Sequence, residues 1–153
     1  MNHFTLENPV FRIYVIAASI MILKMAAQAW MTVIQMTRAK GGYRSPEDIK
    51  RSPLNPEPNA EQLAPNPAVE RSRRIHLNDC ENIPLFLAAG LLFVAVSPPS
   101  SLAALLLYGY AATRILHFFA YATAQLHDVR AALWTPGSLA IMTMAGYTLA
   151  RAL

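Results

Sequence analysis

Between residues 71 and 81 the chain sets Arg71, Arg73, Arg74, His76, Asn78, Asp79 and Glu81 directly ahead of a hydrocarbon run. A second polar row, Arg114, His117 and Tyr121, lies inside another apolar stretch. Guanidinium forks grip carboxylates and a carboxylate holds an ammonium, so these residue types suit a small zwitterionic ligand with more than one carboxylate. Each group also has a plainer reading. Glu81 and Arg114 could neutralise one another, and Lys24 could pair with Asp79 or Glu81. His117 could be a satisfied core histidine. Arg71, Arg73 and Arg74 could anchor lipid phosphate at the membrane surface. Tyr108, Tyr110, Phe118 and Phe119 read as packing, and Cys80 as a passive thiol. A single cysteine excludes an internal disulfide and a cysteine-rich metal centre, and no metal is expected.

The elements that must position these groups follow from composition. Of 153 residues, 54% are hydrophobic and only 14% charged, against about 25% charged in soluble domains. The net charge of +4 is distributed unevenly, which argues against a nucleic-acid partner. Crossing a bilayer takes roughly 20 mostly apolar residues. Four stretches qualify: about 10–36, 75–96, 101–123 and 131–150, the last with Pro136 near its start, where a helix tolerates it. In the second, the purely apolar part from Ile83 to Val96 rises only about 21 Å, short of a hydrocarbon core of roughly 30 Å. The polar turns before Ile83 must therefore lie in or at the membrane. Open sheets cannot span lipid, so the expected fold is an all-α integral membrane protein, a four-transmembrane-helix bundle forming a single domain over 1–153. The N-terminal apolar block lacks a basic lead and a small-residue cleavage site and reads as a retained span.

The segment 37–74 carries six of the eleven prolines and eight of the thirteen Lys and Arg residues. It reads as an irregular loop, with one short helix begun by Ser45 as N-cap and Pro46 at the first position. Its positive charge makes it cytoplasmic and puts both termini on the opposite side. Arg74, Asn78, Glu81 and Leu85 share one helical face, as do Arg114, His117 and Tyr121. Counted from the cytoplasmic ends, Glu81 and Arg114 lie about 10 and 13 Å deep. The two rows are therefore expected to line one polar cavity open to the cytoplasm.

The stretch "VERSRRIHLNDCENIPLF" at 69–86 closely resembles the signature of the MAPEG superfamily, membrane-associated proteins in eicosanoid and glutathione metabolism. It is most similar to the type 1 microsomal glutathione transferase subgroup. Three more matches occur in order: "ILKM" at 22–25, "PED" at 46–48 and "ATRILHFFAY" at 112–121, with Arg130 nine residues after Tyr121. The resemblance implies a homotrimer of four-helix subunits, with glutathione as co-substrate bound between neighbours near the cytoplasmic face. It assigns glutathione contacts to Arg73, Arg74, His76, Asn78, Glu81, His117, Tyr121 and Arg130. It makes Arg130 the catalytic residue, stabilising the glutathione thiolate for attack on a hydrophobic electrophile or lipid hydroperoxide dissolved in membrane lipid.

The chain departs from that pattern in places. The usual arginine at the end of the first span falls on Met36, and Arg38, two residues later, is its candidate substitute. The position after "PED" holds Ile49 instead of the cysteine through which type 1 transferases are activated by thiol reagents. Leu77 and Ala131 stand where the prostaglandin E synthase subgroup carries Arg and Ser, so a general transferase is favoured over an isomerase of that kind. Asp48 aligns with a carboxylate that subgroup uses near the thiol and is kept as a second catalytic candidate. A non-catalytic lipid-binding adaptor, known from another branch, is disfavoured by the arginine-rich signature, and an ion or proton path through Lys24, Glu81 and Arg114 is the third reading. The expected location is the endoplasmic reticulum or outer mitochondrial membrane for a eukaryotic source, or the inner membrane for a bacterial one.

Overall fold

The computed structural model describes residues 3–153. Four α-helices follow in order: α1 (Pro9–Ala39), α2 (Pro67–Ala95), α3 (Ser100–Ala122) and α4 (His127–Ala152). Two 3-10 turns, Pro46–Ile49 and Ala60–Leu63, lie between α1 and α2. α1, α3 and the segment containing α2 are long and apolar enough to cross a membrane. α4 runs 26 residues but is more polar. Its threonines turn their hydroxyls back onto the helix, Thr135 to the Ala131 carbonyl at 2.9 Å and Thr143 to that of Leu139 at 2.8 Å. Such hydroxyls need no outside partner. Since α4 begins at His127, Pro136 lies in the helix interior and not near its start as expected.

The helices end on residues with positive φ that are not glycine. Lys40 (φ 46°), Ser97 (φ 51°) and Ala124 (φ 58°) turn the chain out of α1, α2 and α3. After α3, Ala124 N–H donates to Tyr121 O at 3.1 Å and Gln125 N–H to Ala120 O at 2.9 Å, which satisfies the last carbonyls of the helix. After α2 the corresponding second donor would belong to Pro98, which has no N–H, and the turn is closed by Val96 N–H to Phe93 O and Ser97 N–H to Val94 O.

Two compact units make up the chain. Unit 1 comprises, of the described residues, 3–25 and 79–153, hence the start of α1, most of α2, and all of α3 and α4. Its core is apolar: Ala17 and Met21 from α1, Ile83, Phe86 and Phe93 from α2, Leu107 from α3, Met144 from α4. Phe86 and Tyr110 stack with ring centroids 4.0 Å apart and nearly parallel planes. Outward from this unit point Leu23, Leu92, Leu105 and Met142, all exposed. Hydrocarbon on the outside as well as the inside fits helices solvated by lipid.

Unit 2 comprises residues 26–78. The Gln28 amide donates to the Ser72 carbonyl and hydroxyl at 3.1 and 2.9 Å, tying α1 to α2 inside this unit. The proline-rich connection is more ordered than a loop composition implies. Asn55 and Gln62 are buried and exchange amide hydrogen bonds at 2.7 and 3.1 Å. Asn59 and Gln62 form a reciprocal cap on the second 3-10 turn, which the sequence reading missed. Ser45 does sit at the N-cap of the first turn with Pro46 behind it, yet its side chain makes no capping hydrogen bond.

Candidate functional site

In unit 1 the deepest polar group is the Asp79 carboxylate, fully buried on α2. Arg114 of α3, itself 2% exposed, donates to it at 2.9 Å. The Lys24 ammonium of α1 forms an ion pair with the same carboxylate and lies 5.4 Å from the Phe118 ring. A carboxylate taken out of water loses several kcal/mol of hydration unless opposing charge and hydrogen bonds replace it. Here two cations do so, and one acid joins three helices of the unit. Of the two acids considered for Lys24, the partner is Asp79. The acid on Arg114 is also Asp79, not Glu81, which is exposed. The reason is helical phase: Asp79 shares the buried face of Ile83 and Phe86, whereas Glu81 shares the exposed face of Leu85. Within unit 1, therefore, Glu81 and Arg114 do not line a common cavity as the sequence reading expected.

One turn beyond Arg114, His117 is buried and meets the edge of the Tyr121 ring at 5.3 Å between centroids. Arg130 joins this aromatic group, its guanidinium carbon lying over the Tyr121 ring at 4.3 Å from the ring centre. Arg130 is in the first turn of α4, beyond the tight turn at Ala124. That end of a helix is the positive pole of its dipole and disfavours a cation while attracting an anion. A guanidinium held there adds its charge to the unpaired N–H groups of the first turn. Of the residues assigned to glutathione, the structure thus brings His117, Tyr121 and Arg130 together in unit 1. Trp134 of α4 donates to the Asn82 side chain of α2 at 3.0 Å, a contact with no sequence signal.

In unit 2, Arg73 is anchored by three partners and keeps part of its side chain exposed. Its guanidinium donates to Glu70, to the Gly42 carbonyl at 2.7 Å and to the Met36 sulfur at 3.5 Å. Gly42 has φ 73°, and a Cβ there would press on the Val69 side chain at 3.1 Å, so the carbonyl Arg73 reads depends on glycine. Arg44 also donates to Glu70 at 2.7 Å. Glu70 sits in the first turn of α2, ahead of its apolar run. Met36, where the usual first-span arginine is missing, therefore packs on Arg73, while Arg38 is exposed in the last turn of α1. Arg74 is exposed, and His76 and Asn78 are half-buried. Asp48 lines an open cavity of about 690 Å³ together with Met36, Lys40, Lys50 and Glu47. The Arg44–Glu70–Arg73 cluster was not foreseen; the i,i+3 spacing of Glu70 and Arg73 was its signal in the sequence.

Charges sealed among helices with hydrocarbon outer faces mark a helical membrane protein with a polar site. The chain belongs to the MAPEG family, whose family model matches residues 14–150. It is similar to microsomal glutathione S-transferase 1 of Sus scrofa, 36% identical over 119 residues, 77% of this chain and 75% of the relative. To the proteins of that name in Bos taurus and Homo sapiens it is 33% identical over 141 residues, 92% of this chain and 89% of each relative.

Proposed function

We propose that the chain is a membrane-bound glutathione S-transferase that conjugates glutathione to hydrophobic electrophiles and reduces lipid hydroperoxides. The observation that carries the reading is Arg130: a guanidinium at the positive end of α4, held on the Tyr121 ring beside His117. The name shared by the relatives supports glutathione as the co-substrate.

A thiol with a pKa of about 8.5 is mostly protonated at neutral pH, and the thiolate is the nucleophile. A fixed guanidinium lowers that pKa and cannot itself lose its proton. The thiol proton leaves to solvent, the sulfur forms a bond to the electrophilic carbon, and an aryl halide expels halide with the bonding pair. Positioning and charge stabilisation account for the acceleration. In unit 1 the proposed glutathione contacts are Glu81, His117, Tyr121 and Arg130. In unit 2 they are Arg73, Arg74, His76 and Asn78, with Arg38 as the substitute for the missing first-span arginine and Asp48 as the second catalytic candidate.

The homotrimer is part of the same proposal. Glu81 is exposed on α2, level with buried apolar neighbours. A carboxylate facing lipid is costly, and a neighbouring copy of the chain would cover it. α4 serves as the fourth span, its threonine hydroxyls already satisfied.

Protein purified in detergent is expected to conjugate an aryl chloride only when glutathione is present, and Arg130→Ala is expected to lose at least about a hundredfold in kcat/KM. Equal rates for wild type and Arg130→Ala would overturn the assignment.

A further inference from the structure

Tyr121 is one of the residues proposed to touch glutathione, but its geometry speaks of a different task. The Arg130 guanidinium lies over its ring face at 4.3 Å. Among the described residues no hydrogen bond or ion pair fixes that guanidinium, and its Nε is buried without a partner. Buried N–H groups normally find acceptors. The helix dipole at this end repels a cation as well. What holds the charge is the negative face of one aromatic ring. The ring is in turn packed in a T-shaped arrangement with His117, centroids 5.3 Å apart.

We infer that Tyr121 is a positioning residue for the reaction: its ring, not its hydroxyl, orients the Arg130 guanidinium toward the thiolate. The inference rests on the proposed role of Arg130. A guanidinium held over a ring face samples fewer rotamers, so its donors meet the sulfur with less reorganisation. An Arg130 released from the ring would swing among rotamers and spread the same charge over a larger volume.

The test compares the full-length protein carrying Tyr121→Phe, Tyr121→Leu and Tyr121→Trp, each checked for wild-type oligomeric size in detergent. The reading is the pH midpoint of kcat/KM with an aryl chloride, alongside glutathione affinity by calorimetry. Tyr121→Phe and Tyr121→Trp keep a ring face and are expected to retain the wild-type midpoint. Tyr121→Leu is expected to raise it by up to about one pH unit, a thiolate population about tenfold smaller, with the glutathione affinity reading its proposed contact separately. Placed in an Arg130→Ala background, Tyr121→Leu should cause no further shift. An unchanged midpoint in Tyr121→Leu, an equal shift in Tyr121→Phe, or an undiminished shift without Arg130 would each overturn the inference. Should Tyr121→Leu fail to assemble, Tyr121→Met takes its place with the same expected rise, an unchanged midpoint in it overturns the inference, and so does a shifted midpoint in Tyr121→Phe. Failure of the Arg130 reading itself is separate, since Arg130→Ala alone would then match wild type.

Discussion

Arg114 donates to Asp79 at 2.9 Å with both side chains sealed from solvent, and Lys24 completes the set from α1. A pair of this kind is weak evidence of net stabilisation, because desolvation cancels much of the attraction. Its removal from one side is another matter. Asp79→Ala leaves two cations buried without a counter-charge and is expected to cost about 3–5 kcal/mol. Thermal unfolding in detergent should show a large loss of midpoint for Asp79→Ala. A wild-type unfolding midpoint would mean that the cations escape to solvent and that the triad does not hold unit 1 together.

Glu81, two residues on, should behave oppositely. Its side chain is exposed in unit 1, so Glu81→Gln is expected to leave the packing of that unit unchanged. As the proposed partner of the glutathione ammonium, however, it should weaken binding by about 10- to 100-fold, the worth of a charged hydrogen bond. Calorimetric titration with glutathione measures this, and unaltered affinity would remove Glu81 from the site.

Close helix packing makes a third prediction. A Cβ on Gly90 would fall 2.9 Å from the Tyr14 ring, whose hydroxyl is fixed to the Leu87 carbonyl at 3.0 Å. Gly90→Ala must displace that ring or part α1 from α2, and is expected to cost about 1–3 kcal/mol. Gly109 on α3 has open space at the same position. Gly109→Ala should be neutral or stabilising by up to about 1 kcal/mol. Unfolding of the two variants side by side checks this, and equal stability would show that the Tyr14 ring yields freely.

The helices were legible because hydrocarbon runs near bilayer length leave few alternatives, and all four expected spans fall on helices. Their ends were less so. α1 runs on to Ala39 and α2 starts at Pro67 because polar turns outside the apolar runs stay helical when their side chains find partners, as Ser72 and Arg73 do. Order in the 37–74 segment was hidden by its prolines, since the Asn55–Gln62 pairing depends on a chain reversal that composition does not encode. The acid that pairs with Arg114 lies on a different face of α2 from the Arg74, Asn78 and Glu81 row. Arg74 and Glu81 drew attention by charge, whereas Asp79 is marked by its apolar neighbours at helical spacing. Burial, not charge, identified the acid that Arg114 needs. The aromatic seat of Arg130 had no sequence signal beyond a nine-residue separation, because it is made by the turn at Ala124.

The proposed catalysis turns on a guanidinium that lowers the pKa of a bound thiol. The most direct measurement is an ultraviolet titration of the thiolate of glutathione bound to wild type and to Arg130→Ala. In wild type the thiolate is expected to appear at least about one pH unit below the ordinary thiol value of roughly 8.5, and in Arg130→Ala to return to that value. Coincident titration curves would contradict it.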